Sequence, residues 1–348
     1  MPRDPGWTPL HARVQRTLKE RSLLPPQARS LVAVSGGQDS LCLMRLLLDL
    51  QPKWGWELAI AHCNHGWRSD STANAEFIQQ YAATWNLPFY CATAIDLPPT
   101  EAAARQWRYQ VLAEMAEAQG YAIVVTGHTL SDRAETLLYN LLRGSGADGL
   151  QALTWQRPLT DTVQLVRPLL DIRRSETGEF CQNTNLTIWE DSTNQNLDYA
   201  RNRIRQELIP YLQTHFNPQV EQALAQTAEL LAADVAYLEE VVREVEGERG
   251  KGKGEREKPD PSTHPPIHPS THPPLNRTEL QEVPLAIQRR IVRRWLQEVL
   301  PTAPGFEQIE KVVKLIDAPN RSQSDPLPGG AIAQVEGDWI GLCHHGAL

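Results

Sequence analysis

The sequence predicts an α/β fold: a parallel sheet covered by helices, then a bridging helix and a small C-terminal α+β domain. Between about residues 30 and 145, β-type apolar runs alternate with segments of helical periodicity, the pattern of βαβ units. The chemically notable polar residues fall at the carboxyl ends of those runs, where open parallel sheets bind ligands. An apolar stripe at 220–245 and a Pro/His-rich tract beyond it set this part apart from the remainder.

The β-type runs are Leu31–Ser35, Glu57–Asn64, Pro88–Ala94 and Ala122–His128. Helical patterns cover Asp39–Leu50, Ser71–Asn86, Glu101–Gln119 and Ser131–Arg143, with Ser131 expected as an N-cap. Leu224, Ala228, Leu231, Val235, Leu238, Val242 and Val245 recur at spacings of four and three, which is one apolar helical stripe. It is read as a bridging helix over 216–246 packed on a neighbouring domain. A coiled coil between two copies, and hence a homodimer, is the alternative, but only about three heptads are present. The tract 247–275 carries Pro-Ser-Thr-His-Pro-Pro twice, at 261–266 and 269–274, and cannot bury a core, so it is expected as a disordered linker. His264, His268 and His272 are better explained by a slipped repeat than by a metal site. In the last part, 276–348, the helix Leu285–Leu296 stacks Arg289 on Arg293 and Arg290 on Arg294 at i, i+4. Like charges at that spacing repel, which suggests a phosphate partner as against a merely solvated face. Leu327–Val335 and Trp339–Leu342 read as a hairpin.

The formal net charge of −8 argues against binding nucleic acid through overall charge and leaves only local basic patches for that task. The five cysteines (Cys42, Cys63, Cys91, Cys181 and Cys343) are dispersed without any C-x-x-C, so neither a disulfide framework nor a zinc or iron–sulfur site is expected. The polar, Pro-broken segment before Ser30 has no apolar signal-peptide region, and no stretch reaches the length of a membrane span. A cytoplasmic protein is expected.

The segment Leu31-Val32-Ala33-Val34-Ser35-Gly36-Gly37-Gln38-Asp39-Ser40 is a strand feeding a Gly-rich turn at a helix N-terminus, which is an anion site. It lacks the lysine of a G-x-x-x-x-G-K-[ST] loop. Asp39 within a phosphate cradle makes sense if Mg²⁺ sits between it and the phosphates. The loop therefore fits pyrophosphate as a leaving group, with ATP split to AMP. His62-Cys63-Asn64-His65-Gly66-Trp67-Arg68 ends the second strand. Arg105 and Arg108 share a helix face and can reach phosphates or a carboxylate. After the fourth strand come Gly127-His128, then Asp132 and Glu135 one turn apart. This carboxylate pair suits a magnesium ion or a cationic substrate group; acids that merely complement the helix dipole are the competing account. Arg201, Arg203 and Arg205 form a local phosphate-binding patch.

Taken in order, Ser35–Ser40, His62–Arg68, Glu101–Arg105, Gly127-His128 with Asp132–Thr136, Leu141–Gly146, Arg167–Leu170, Glu190–Asn194, Arg201–Arg205 and Leu208–Pro210 resemble the tRNA(Ile)-lysidine synthase family. That family lies within the PP-loop ATP pyrophosphatases, whose fold is Rossmann-like and similar to adenine nucleotide alpha hydrolases. The resemblance covers about 30–215, within an expected catalytic domain of 1–215, and 276–348 more weakly resembles the family's tRNA-binding domain. It implies ligation of free L-lysine to C2 of cytidine 34 in the CAU anticodon of tRNA(Ile), through an O2-adenylated base, with release of AMP and pyrophosphate. It places ATP on Ser35, Gly36, Gly37, Gln38, Asp39, Ser40, His62, Arg105, Gly127 and His128, with Mg²⁺ on Asp39. Lysine falls to Asp132 and Glu135, and catalysis to Asp39, Arg105, Asp132 and Glu135. Arg201, Arg203 and Arg205 are assigned to tRNA, as are Arg289, Arg290, Arg293 and Arg294 of the C-terminal domain.

The chain departs from the family's usual His-His-x-Asp-Asp-Gln at Thr129, Ser131 and Arg133. Arg133 is expected to set positive charge beside the amine site and weaken lysine binding. The rival reading is a PP-loop tRNA 2-thiolation enzyme, for which Cys63 is the lone candidate thiol. A non-catalytic tRNA-binding relic is disfavoured by the intact loop and carboxylate pair, and an amidotransferase-type synthetase by the lack of a glutaminase segment.

Overall fold

A computed structural model of the chain describes residues 6–66, 70–95, 98, 100–189, 196–251 and 273–344. Trp67 and Arg68, the Glu190–Asn194 motif and residues 252–272 of the 247–275 tract, including its three histidines, lie outside the described residues, while 247–251 are helical rather than linker. The chain forms two compact units, Met1–Ala233 and Asp234–Leu348.

The first unit opens with α1 (Pro9–Glu20), which the sequence reading left as polar and Pro-broken. Its start is fixed by a capping box in which His11 stands where Glu or Gln is usual: Thr8 bonds the His11 ring and backbone, so the signal is easily overlooked. Then follow β1 (Arg29–Ala33), α2 (Gln38–Trp54), β2 (Glu57–Asn64), α3 (Ser71–Thr84), β3 (Phe89–Thr93), α4 (Glu101–Gln119), β4 (Ile123–Thr126) and α5 (Leu130–Leu142). These are the expected alternating elements. A short α6 (Ala147–Leu150), β5 (Gln156–Pro158), β6 (Gln164–Val166) and α7 (Arg174–Asn183) come next, too short or too polar to announce themselves.

The strands form one sheet in the order β3-β2-β1-β4-β6-β5, parallel except for the antiparallel edge strand β5. Alternation sorts their side chains. Val32, Leu58, Ile60, Val125 and Val166 join a core with α1, α2, α3 and α7, whereas Leu31, Ala59, Ala61, Val124 and Leu165 face α4. Chain progression runs outward from β1 through β2 to β3, then restarts on the other side at β4. The switch point thus falls between the carboxyl ends of β1 and β4, and a ligand crevice opens there.

Beyond α7, α8 (Ala200–Arg203) continues through a π-helical turn at Ile204–Leu208 into α9 (Ile209–His215). The long α10 spans Val220–Lys251. Its stripe is consumed inside the chain. Leu224 packs with Leu138, Ile204 and Ile209 of the first unit, and Val242 is fully buried in the core of the second. Among the described residues of α10, no continuous apolar seam remains for a coiled coil between copies.

The second unit adds β7 (Leu275–Asn276), α11 (Arg277–Gln281), α12 (Leu285–Val299), α13 (Phe306–Val313), β8 (Ala331–Glu336) and β9 (Trp339–His344), with an antiparallel sheet ordered β7-β9-β8. Ile287, Ile291, Val292, Trp295 and Leu296 turn the apolar face of α12 into the core. The arginines on its other face correct an expectation, because their charge is not uncompensated. Arg289 pairs with Glu310 at 2.6 Å, and Arg290 with Glu239 at 2.7 Å. Arg294 bonds both Glu239 and Glu246. Long-range acids answer the i, i+4 repulsion, so that repulsion no longer argues for a phosphate partner.

Arg133 requires a second correction. It is 2 % exposed and donates to Glu229 of α10 at 2.7 Å, where Arg21 and the Trp155 indole also converge. One residue along a helix turns a side chain by about 100°, so Arg133 points away from the carboxylates at Asp132 and Glu135 and into this anchor. Removing one partner of a fully buried pair costs about 3–5 kcal/mol. Because Glu229 is itself partly exposed, Glu229→Ala is expected to cost about 2 kcal/mol, read as a lower urea midpoint at unchanged m-value; a loss within error of zero would show that Arg133 is satisfied without it.

Candidate functional site

The crevice at the switch point is a cavity of about 480 Å³ lined from the ends of β1, β2 and β4 and from α2, α4, α5, α7 and α8. Its floor is the loop after β1. Gly36 has φ +91°, and a Cβ there would lie 2.8 Å from Asn74 Oδ1, so glycine is needed for both conformation and space. Gly37 begins α2 as its N-cap without a side-chain bond. Ser40 Oγ receives the Ser35 N–H at 3.2 Å and donates to the Gly37 carbonyl at 2.9 Å, closing the turn on itself. Asn74 and the Trp189 N–H tie the Ser35 and Gly36 carbonyls back, at 3.2 and 2.9 Å. The outcome is a preorganised loop at the N-terminus of a 17-residue helix, suited to phosphate.

Gly127, at the end of β4, seats against this loop. A Cβ on it would stand 2.9 Å from the Asp39 carbonyl oxygen and 3.1 Å from Ser40 Cα. His128 follows; its Nδ1 lies 2.9 Å from Thr126 Oγ1. Burial, then the field of Arg167, pushes its pKa down to about 3, so the ring is neutral at physiological pH. His62 is buried with Nδ1 2.9 Å from the Val34 carbonyl, so that nitrogen carries the proton.

Asp39 stands at the first turn of α2. Thr177 donates to its Oδ1, and Arg174 approaches its Oδ2 at 3.4 Å. Gln38 spans from Asp39 to Thr177 and the Arg174 carbonyl. Burial raises the Asp39 pKa despite Arg174. A lone, strained-to-ionise carboxylate beside a phosphate loop fits Mg²⁺, which takes one or two protein carboxylates and fills its remaining positions with water and phosphate oxygens. No cluster of three or more His, Cys, Asp or Glu suited to a metal is present among the described residues. Arg174 and Thr177 come from α7, an element without a sequence signal, and were missed for that reason.

Asp132 and Glu135 project from the first turns of α5. The N-cap is Thr129 rather than Ser131: the Asp132 carboxylate accepts from the Thr129 N–H and hydroxyl, both at 2.8 Å. Ser131 instead receives the Arg174 N–H at 3.3 Å, linking α5 to α7. Between the two acids lies Arg205. Its guanidinium forks onto Glu135 at 2.6 and 2.7 Å and reaches Asp132 at 3.4 Å. Arg205 was expected on tRNA; the structure places it on the carboxylates. Residues two apart on a helix do not share a face, and the π turn containing Arg205 aims it at α5. Arg201 lines the cavity with its guanidinium 5.6 Å from the Tyr139 ring, while Arg203 donates to the Leu197 carbonyl at the surface. The expected patch of three arginines is therefore divided among three tasks.

Electrostatics separate the acids. Burial raises Asp132, but the His128 ring, the Thr129 amide and Arg205 outweigh it and hold the carboxyl below its ordinary range. Burial wins at Glu135, whose pKa is raised in spite of the Arg205 fork. Arg105 lines the cavity with its guanidinium 5.7 Å from the Tyr109 ring, and Arg108 lies 2.8 Å from His65 Nε2. Cys63 is half-buried on the cavity wall with its thiol pushed up to about 12 by desolvation, a poor sulfur nucleophile. No helix among the described residues is long and apolar enough to cross a membrane.

Residues 8–212 match the PP-loop domain family, and residues 275–337 the TilS substrate binding domain. A tRNA(Ile)-lysidine synthase of Nostoc sp. is 61 % identical over 96 % of this chain and 96 % of its own. One from Thermosynechococcus vestitus is 53 % identical over 97 % and 92 %, respectively. A chloroplastic one from Zygnema circumcarinatum is 35 % identical over 86 % and 78 %. Among solved structures, the U34-tRNA thiolase NcsA from Methanococcus maripaludis, with its 4Fe–4S cluster, aligns at TM-score 0.54 and 17 % identity over 64 % of this chain and 77 % of that one, a likeness of fold.

Two outcomes follow from this geometry. Gly127→Ala is expected to weaken ATP binding at least about tenfold by calorimetry, since the new methyl must displace the Asp39–Ser40 backbone and sub-ångström positioning governs such sites; unchanged affinity would mean that the loop tolerates the shift. For His128, the unfolded chain binds a proton near pH 6.5 and the native state only near pH 3. Its contribution is full above about 6.5 and is lost as pH falls through that window, by up to one proton's slope. His128→Gln should flatten this part of the stability–pH curve in urea titrations, and an identical curve would contradict a ring kept neutral by its surroundings.

Proposed function

The chain belongs to the tRNA(Ile)-lysidine synthase family, and from that membership we propose that this crevice joins free L-lysine to C2 of cytidine 34 in the CAU anticodon of tRNA(Ile). The observation that carries the reading is the juxtaposition, at one switch point, of a phosphate loop and an acidic pair whose charge is only half neutralised. Asp132, Glu135 and Arg205 together keep one net negative charge, which is what a single ammonium group requires.

The chemistry divides into two displacements. The cytosine O2 attacks the α-phosphorus of ATP and pyrophosphate leaves; the lysine ε-amine then attacks C2 and AMP leaves. A base carbonyl oxygen cannot depart until it carries a phosphoryl group, so activation must precede substitution. Ser35–Ser40 hold the pyrophosphate end, and His62 and the neutral His128 line the nucleotide's cavity. Arg105 supplies positive charge to the phosphates. Mg²⁺, held by Asp39, would neutralise phosphate charge.

Only the neutral amine attacks, so the lysine must lose a proton at the site. Two acids pushed in opposite directions suit two tasks. Asp132, ionised and only loosely met by Arg205, attracts and orients the ammonium. Glu135, raised by burial, is the better proton acceptor, and Arg205 holds it in place until lysine enters. The raised pKa of the Cys63 thiol, which keeps it protonated, disfavours sulfur transfer. Phosphate contacts to tRNA fall to Arg201 and Arg203. The reaction is placed in the cytoplasm, where its tRNA substrate resides.

Labelled lysine should enter a CAU-anticodon tRNA(Ile) transcript with ATP present, and no incorporation would overturn this reading. Asp132→Asn should retain tRNA-dependent ATP–pyrophosphate exchange within a few-fold while the KM for lysine rises at least about tenfold. Equal loss of both activities would return Asp132 to a purely structural role.

A further inference from the structure

A second cavity, of about 460 Å³, adjoins the first and shares Arg105, Tyr109 and Leu153 with it. Three arginines line it, Arg105, Arg157 and Arg167, and no carboxylate does. Among the described residues none of the three forms an ion pair, in a chain whose net charge is −8. They converge on one ring: Arg157 lies 4.6 Å and Arg105 5.7 Å from the Tyr109 centroid. Arg167 is 1 % exposed. It donates to the Thr154 carbonyl at 2.6 Å, and its Nε has no partner.

Three guanidiniums that face no carboxylate, one of them buried with an unused N–H, carry a desolvation and repulsion cost that the Thr154 and Pro158 carbonyls meet only in part. Stacking on Tyr109 offsets only part of it. An arginine cluster free of carboxylates matches a phosphate, whose oxygens accept from several forks at once. The pocket contains no residue of the Ser35–Ser40 loop, so it is not the seat of the ATP pyrophosphate. It adjoins the first cavity through Arg105, Tyr109 and Leu153, so a base seated in that cavity would bring a flanking phosphate within reach of it.

We propose that the Arg105–Arg157–Arg167 pocket is a second phosphate site that takes a backbone phosphodiester of the tRNA beside the nucleotide being modified. The inference rests on the tRNA reading above. It makes Arg157, on the edge strand β5, a substrate-positioning residue that no motif indicated, and it gives Arg105 a place in both cavities.

The test uses the full chain and a tRNA(Ile) transcript, with Arg157→Gln and, independently, Gln106→Glu, which sets a negative charge on the exposed pocket wall. Both should raise the Kd for tRNA about tenfold at low salt, and Arg157→Gln should lower the slope of log K against log salt by about one. The KM for ATP and inhibition by added pyrophosphate should not move. Arg157→Lys, which keeps the charge and loses the fork, should fall between. Weakened pyrophosphate inhibition with unchanged tRNA binding would assign the pocket to released product and overturn the proposal, as would variants indistinguishable from the parent. If the parent itself neither binds tRNA(Ile) nor modifies it, the underlying functional reading fails first, and that result is recognisable without any variant.

Discussion

The contact of Gly127 with the Asp39–Ser40 turn is the constraint from which the site follows. β1 and β4 are adjacent, parallel and feed helices on from the switch point, so the loops after both strands must share one small space. With no Cβ at Gly127, the β4 loop closes onto the amide-rich turn after β1 at about van der Waals distance. Thr129 then caps α5, and that cap fixes Asp132 by two hydrogen bonds a few residues beyond Gly127, in the same cavity as the phosphate loop. A bulkier residue at Gly127 would separate the nucleotide end of the site from the amine end.

Charge is distributed around this contact in opposed pairs, each with a different degree of compensation. Arg174 reaches Asp39 at long range, Arg205 grips Glu135 and touches Asp132, and Arg133 is neutralised far from them by Glu229. Burial alone would raise all three site carboxylates. The local donors decide which remains easily ionised, and Asp132 is the one that gains both a backbone amide and a guanidinium. His128 stays neutral for the converse reason, being desolvated on the cavity wall in a field of arginines. On the α4 side the compensation stops: Arg105, Arg157 and Arg167 gather without an acid, which marks that wall as the face turned towards phosphate.

Much of this was legible in the chain. Alternating runs located β1 to β4 and α2 to α5 within a few residues, because parallel strands buried on both faces are continuous apolar segments bounded by strong turn and cap signals. The same alternation placed Ser35–Ser40, His62, Gly127, His128, Asp132 and Glu135 at one sheet edge, and all of them line the first cavity or abut it. Less legible was α1, whose capping partner is a histidine, along with the three-residue strands β5 and β6 and the polar α7. Arg174, Thr177, Arg157 and Arg167 went unassigned to the site because they sit on or beside such elements.

The sequence by itself determined the sheet, the phosphate loop and the spacing that puts two carboxylates on one helical turn, all of which are local consequences of side-chain periodicity and glycine geometry. Only the tertiary structure decided what each charge faces. Arg205 meets Glu135 across seventy residues, Arg133 meets Glu229 across ninety-six, and Arg290 meets Glu239 across fifty-one. Coulomb partners are chosen by proximity in space after packing, and a linear charge pattern cannot tell a compensated arginine from one left for a ligand. That distinction turned an apparent RNA-binding triplet into the clasp of the acidic pair, and it brought Arg157, which no motif marks, together with Arg105 and Arg167 on one wall without an acid.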